Sequence, residues 1–337
     1  IFGVGDIERG GTPFNKAMGG IGIGIRDNRV INILNPASIN DRDSLSFLLD
    51  FGVNQKNILS KTNNHNSAYN TFNMNHLIMS FPLFNNSAFA IGVTPYSWVG
   101  YNFEANETDP SIISEMGDIT YRRYGEGGIT KAFLSASVAL SKNFSVGAEA
   151  IYYFGNIDRH SDIIFNSNTT YRTINSGTDY VVGSFAAKFG AQYSANIGEE
   201  LSFTAGATWT MGTKLSGDNT RYAFTLNESG RRDTTYLNTM KGTMMEVPSE
   251  LGMGLSLRKK DKWLIGVDYL RQDWSNAAFA STPGVDFSTT MSSSIRAGFE
   301  YIPNRYDIRY YSRRITYRGG VYYENTYMKL NGEQISS

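Results

Sequence analysis

What most restricts this chain is a hydrophobic alternation with a period of two, sustained over many separate segments. Phe144, Val146, Ala148, Ala150, Tyr152 and Phe154 fall on one side of an extended chain, with Ser145, Gly147, Glu149, Ile151 and Tyr153 on the other. Leu201, Phe203, Ala205, Ala207, Trp209 and Met211 repeat the pattern against Ser202, Thr204, Gly206, Thr208 and Thr210. Further rows are Leu45 to Val53, Val181 to Tyr193, Leu251 to Leu257, Trp263 to Tyr269 and Met291 to Tyr301. Successive side chains of a strand point to opposite faces, so these are two-faced strands. Helical spacing is nearly absent, and Gly recurs inside the segments, where it would weaken a helix.

A soluble sandwich also alternates, so length and connections decide. Several rows run for ten residues or more; a tilted transmembrane strand needs ~9 to 11, whereas an ordinary strand has about five or six. The second face carries Gly, Ser and Thr with Glu149, Lys188, Arg258, Asp268 and Arg296, which suits a wet lumen. Connections alternate short (near Asn85-Asn86, Ser141–Asn143, Ile197–Glu200, Lys259–Lys262, Pro303–Asp307) with long and polar (Gln55–Thr71, Glu104–Gly128, Ile157–Asp179, Thr213–Pro248, Asn276–Asp286). That rhythm belongs to an outer-membrane barrel with short periplasmic turns and long external loops. The expected fold is all-β, a transmembrane up-and-down antiparallel β-barrel. From Ser44 on, roughly eleven spans and the start of a twelfth can be read. A closed barrel has an even number, so the natural protein is expected to continue by two or three strands.

Composition narrows function. Lys and Arg total 31 against 31 Asp and Glu, with a pI near 7.0, which argues against a nucleic-acid partner. There is no Cys, so disulfides and thiolate metal sites are excluded. No stretch reaches the ~18 to 20 apolar residues of a spanning helix, which says nothing against a barrel. The chain opens Ile1-Phe2-Gly3 without Met and reads as a mature form whose leader has been removed.

Residues 1–43 differ from the remaining 44–337. They are rich in Gly and irregular, and irregular backbone at membrane depth survives only where protein or lumen water satisfies it. An N-terminal plug inside the barrel is the expected arrangement. Ala17-Met18-Gly19-Gly20, then Asn35-Pro36-Ala37 directly before the first strand, resembles the FadL-type outer-membrane transporter family. Val247-Pro248-Ser249-Glu250, Asp268-Tyr269 and Trp274-Ser275 are similar to a strand pair of that family, and Ser294-Ile295-Arg296-Ala297-Gly298 to its Arg-x-Gly strand. The resemblance implies a barrel of about 14 strands in the complete protein. It also implies a hatch carried by Ala17, Gly19, Gly20, Asn35, Pro36 and Ala37, and strand positions Pro248, Asp268 and Trp274. The implied activity is passive uptake of small hydrophobic molecules such as long-chain fatty acids across a Gram-negative outer membrane. Cargo would bind above the plug and leave past it, or sideways through a gap at a strand kink.

Gly20-Ile21-Gly22-Ile23-Gly24 lacks the flanking strand and helix of a nucleotide loop and reads as plug backbone. His65, His76 and His160 are too scattered for a metal site and read as solvated side chains; Asp41 and Asp43 read as an ion pair with Arg42. No Ser, His and acid trio stands out, so neither an enzyme nor a cofactor is expected. Trp98, Trp209, Trp263, Trp274, Tyr152, Tyr153 and Tyr269 fall near strand ends, as in aromatic girdles at a lipid interface. The Arg/Tyr-rich segment Tyr306–Tyr323 departs from the family pattern. It admits three readings: a cation–π girdle, a lumen lining, or a docking surface for another protein. The expected partners are outer-membrane lipid and a hydrophobic ligand. In the rival reading, the barrel is a structural or assembly subunit of a larger outer-membrane protein complex. A general porin is disfavoured because a plugged lumen cannot pass solutes freely.

Overall fold

Strands form where the alternation persists, because each backbone N–H and C=O of an extended chain finds its partner only on a neighbouring strand. The computed structural model describes residues 4–8, 10–41, 46–61, 66–84, 86–166, 171–226, 231–277, 287–330 and 332–336. The N-terminal part holds β1 (Asp6–Ile7), α1 (Pro13–Lys16) and a 3-10 turn (Pro36–Ser38). Then come β2 (Leu48–Lys61), β3 (Asn66–Phe84), β4 (Ser87–Asn106), α2 (Pro110–Met116), β5 (Ile119–Ala139), β6 (Phe144–Phe165) and β7 (Ile174–Ile197). They are followed by β8 (Leu201–Thr210), β9 (Thr213–Leu226), β10 (Arg232–Val247), β11 (Glu250–Lys259) and β12 (Trp263–Asp273). The last elements are β13 (Phe287–Thr289), β14 (Met291–Tyr301), α3 (Tyr311–Arg314), β15 (Tyr317–Leu330) and β16 (Glu333–Ser336).

Among the described residues the strands form one 16-stranded sheet in which every pair is antiparallel. Neighbours in the sheet follow chain order, as an up-and-down wall requires, apart from β1, which pairs with β4, and β13, which continues β14 along β15. β8 and β9 both pair with β7, and β10 leads into β11, so each couple is one pass, interrupted at Met211-Gly212 and at Pro248-Ser249. The sheet curls around the N-terminal segment, which touches strands from β2 to β15.

The two faces are inverted relative to a water-soluble protein. Phe185 is 74% exposed and Met253 63%, in outward rows with Leu251, Leu255, Ile265, Ile295 and Phe299. Facing inward, Glu149 and Asp268 are each 2% exposed, with Arg296 and Glu300 also buried. A soluble monomer rarely leaves so continuous an apolar surface to water, whereas a bilayer removes it from water at no cost in desolvated polar groups. No helix among the described residues is long and apolar enough to cross a membrane; the strands make the crossing.

Several expectations need correction. Much of the long polar connections is strand: β4 to β7 carry the ladder through Glu104, Arg122, Asp158 and Asp179, with one register shift at Pro95/Ser97. Beyond the lipid both faces of a hairpin meet water, so alternation fades while the hydrogen bonds continue. The short turn placed at Pro303–Asp307 belongs to a longer connection, residues 302–316, containing α3. Trp274 and Tyr153 are not girdle residues. Trp274 is buried on Tyr327, with ring centroids 4.5 Å apart, and Tyr153 meets Tyr96 edge-on at 4.9 Å. His76 is buried, with Nε2 3.0 Å from Asp50 Oδ1, and His160 lies on β6, stacked on Tyr124 and bonded to the Tyr222 hydroxyl. The Arg42–Asp43 ion pairing, the boundary between 43 and 44, and His65 lie outside the described residues.

Candidate functional site

The N-terminal segment has little regular structure, so its backbone polar groups need partners from side chains. Three asparagines supply many of them. The Asn15 amide donates to the Ile21 carbonyl (2.9 Å), Asn32 to those of Gly22 (2.7 Å) and Ile25 (3.0 Å), and Asn35 to that of Ile23 (2.9 Å). Pro13 starts α1, and the helix stops before Gly19 and Gly20, both at positive φ (69° and 84°). These glycines turn the chain where a side chain would be strained.

The wall supplies the rest. Asp268 Oδ2, on β12, accepts from Gly22 N–H (2.7 Å) and Ile23 N–H (2.9 Å). Gln192 Nε2, on β7, donates to the carbonyls of Ile23 (2.8 Å) and Ile25 (3.2 Å), and Ser256 Oγ, on β11, to that of Gly24 (2.5 Å). The backbones can meet this closely because the wall carries Gly at the contacts. A Cβ on Gly206 would sit 2.0 Å from the Ile23 carbonyl oxygen, and one on Gly147 2.5 Å from the Pro36 carbonyl carbon.

Asn35, Pro36 and Ala37 act together. Asn35 Oδ1 caps the 3-10 turn by accepting from Ala37 N–H (3.0 Å), Pro36 takes the first turn position, and the Ala37 carbonyl accepts from Ser145 Oγ (2.9 Å). Pro at that position loses no needed donor. Gly19 and Gly20 lie elsewhere, against Ala297, Val321 and Arg296, and Ala17 is exposed at the end of α1. Pro248 stands at the break before β11, its carbonyl accepting from Gln272 Nε2 (2.8 Å). Trp274 packs near the start of the segment, where its neighbour Tyr327 donates to the Gly5 carbonyl (2.9 Å). Asn15, Asn32, Gln192 and Ser256 were not singled out from sequence; the only signal was Asn within a Gly-rich stretch.

At the short-turn end an ionic tie closes the segment. Asp27 receives Arg29 through both oxygens (2.9 and 3.0 Å) and Arg258 Nη2 at 2.8 Å, while Arg29 Nη1 reaches Asp261 at 2.7 Å. Burial alone would raise the Asp27 carboxyl, but the hydrogen bond from Arg29 and the charge of Arg258 more than offset it and hold it at about 2. The folded value lies below the unfolded one, so the stabilisation is complete above pH ~4 and is lost as the pH falls towards 2. Amide exchange of residues 24–34, corrected for intrinsic rates, is expected to lose protection across that window. Asp27→Asn should show no such transition.

Above the segment lies a cavity of about 750 Å³. Its wall mixes apolar Ile33, Leu34 and Ile151 with Tyr153, Lys188 and Glu250. Behind it, buried Glu149 pairs with Lys131 and accepts from Ser135 Oγ (2.8 Å). Val247, Pro248 and Gln272 also border the cavity. There, among the described residues, β10 pairs with β9 alone, whereas β11 below it pairs on both sides. Among the described residues no ladder joins β10 to β12 above Glu250.

A family model described as BamG matches residues 1–337. No curated protein matches the sequence. Among solved structures, a Pseudomonas aeruginosa FadL homologue superposes with a TM-score of 0.58 at 11% identity, covering 96% of this chain and 82% of its own. The Ralstonia pickettii toluene transporter TbuX gives 0.55 at 17% identity, with 96% and 88% covered. The CymD monoaromatic hydrocarbon channel gives 0.54 at 16%, with 94% and 84% covered. The fold is that of the FadL-type barrels.

Proposed function

The chain belongs to the BamG family and has the FadL-type fold, and from that premise we propose that it is a passive outer-membrane conduit for small hydrophobic molecules such as fatty acids. The observation that carries this reading is the cavity of about 750 Å³ between segment and wall, bordered by Val247, Pro248 and Gln272 where β10 gives way to β11. Its volume falls in the range of small-molecule sites, and its mixed lining suits a ligand with an apolar body and a polar end.

In this reading residues 1–43 form a hatch, and Asn35, Pro36 and Ala37 fix its seat on β5 to β7. Cargo enters at the rim opposite the short turns and is held above the hatch by desolvation of its apolar surface. It leaves sideways past Pro248 and Gln272 into lipid, or downward when the hatch shifts. No bond is made or broken, so the chain acts as a conduit and not as an enzyme. Of the solved barrels that share the fold, TbuX is described as a toluene transporter and CymD as a monoaromatic hydrocarbon channel, which supports this.

The test is binding and transfer of 11-(dansylamino)undecanoic acid by the full chain in detergent and in phospholipid vesicles. Saturable fluorescence enhancement is expected, weakened about tenfold by Ile151→Trp, which fills the cavity. Transfer no faster than into empty vesicles, together with binding indifferent to Ile151→Trp, would overturn the reading.

A further inference from the structure

The connection between β14 and β15 is unlike the others on its rim. The short-turn connections that lie wholly within the described residues span 140–143, 198–200 and 260–262, whereas this one takes 302–316. Long ordered connections among short ones commonly carry function. Its sequence, Ile302-Pro303-Asn304-Arg305-Tyr306-Asp307-Ile308-Arg309-Tyr310-Tyr311-Ser312-Arg313-Arg314-Ile315-Thr316, holds four arginines against one aspartate.

The loop is built, not slack. Asp307 Oδ1 accepts from the N–H groups of Arg309 (2.9 Å) and Tyr310 (2.8 Å), its Oδ2 takes Arg313 (3.2 Å), and the Asn304 N–H donates to the Arg313 carbonyl (2.8 Å). The one acidic group is thereby turned inward. Its side chain is 9% exposed. The guanidinium groups of Arg313 and Arg314 lie over the rings of Tyr310 and Tyr311, 4.9 and 5.2 Å from the centroids. Meanwhile Tyr306 is 76% exposed, Ile308 95% and Tyr311 73%.

Arginine and tyrosine around an aliphatic tip is the composition of interface anchors, and a guanidinium already resting over a ring loses little freedom on meeting a carboxylate. The lipid interface is already served by Tyr301 and Tyr317, the outward residues that end β14 and begin β15. The loop starts beyond them. Its base is drawn towards the barrel interior, because Asp261, which holds Arg29 of the N-terminal segment, also takes the Tyr306 hydroxyl (3.3 Å) and lies 3.5 Å from Arg305. We propose that residues 304–314 are a docking surface for an acidic protein surface on the short-turn, periplasmic side of the membrane. Arg305 is met by Asp261 and Arg313 by Asp307, so the partner's carboxylates complement Arg309 and Arg314, and Ile308 and Tyr311 supply the apolar contact. The inference rests on the barrel and its orientation, not on the cargo.

The test places a photo-crosslinking phenylalanine at position 308 or 311 of the full chain in intact outer membranes, with position 142 as control. One protein adduct is expected from 308 and 311 and none from 142, its crosslinked peptide carrying more Asp and Glu than Lys and Arg. The adduct should fall at least tenfold in Arg309→Glu/Arg314→Glu, a variant that leaves the Asp307–Arg313 tie intact. Heat-dependent gel mobility checks that the variant barrel is folded. Equal yield from position 142, an adduct indifferent to the charge reversal, or no adduct would overturn the proposal. So would crosslinks to lipid alone, or equal binding of wild type and variant to added vesicles of phosphatidylethanolamine with phosphatidylglycerol.

Discussion

Replacing Asp268 by Ala should unseat the N-terminal segment. One carboxylate oxygen accepts from two consecutive backbone amides, those of Gly22 and Ile23, and both lie in a contact that excludes water. Alanine leaves both donors unpaired, and a buried unpaired amide costs about 1–3 kcal/mol. Its two ladder partners offer no substitute, since Gly254 has no side chain and Arg296 can only donate. Protection of the Gly22 and Ile23 amides should fall by two orders of magnitude or more, and steady conductance should appear in planar bilayers. Asp268→Asn keeps an acceptor oxygen and should give an intermediate result. Unchanged amide protection in the alanine variant would mean that Gln192 and Ser256 suffice to hold the segment.

The role of this aspartate shows what could be read in advance and what could not. The strands were legible because the bilayer imposes one rule on every outward residue, and Leu251, Met253 and Leu255 obey it. The hairpins above the lipid were not, since Arg122, Arg123 and Tyr124 stand in strand without any face to mark it. Tyr153 and Trp274 looked like girdle aromatics because position near a strand end does not say which side faces lipid. Alternation placed Asp268 on the lumen face and a family resemblance marked its strand, but neither showed what it binds. Its partners lie 246 and 245 residues away in the chain, and only the fold brings them together.

The glycines on the inner face carry the same lesson. Read from sequence, Gly254 and Gly298 fall on the second, polar face of their strands, and Gly320 lies in the Arg/Tyr-rich segment with nothing to single it out. In the structure they are places where one backbone rests on another, so even a methyl group has nowhere to go.

Gly320→Val is accordingly expected to be among the most damaging single changes in the wall. A Cβ there would lie 2.2 Å from both the Gly19 nitrogen and the Met18 carbonyl carbon, and its ladder partner Gly298 faces the Met18 oxygen at the same 2.2 Å. Backbone atoms cannot rotate aside as a side chain can, so the segment must lift or β15 must bend. Overpacking typically costs 1–3 kcal/mol, and a valine forced against fixed backbone belongs at or above about 3. Gly319→Val is the matched control: it is the adjacent residue, facing outward, where the nearest atoms to an added Cβ belong to the Phe299 ring, at 2.7 Å, a side chain that can turn aside. It should refold into vesicles with a denaturant midpoint near that of the wild type, while Gly320→Val shifts well below it. Combined with Asp268→Ala, the Gly320 change should cost less than the sum of the two, because a segment already released no longer clashes. Full additivity would show that the Gly320 effect lies in the β14–β15 wall itself and not in the seat of the segment.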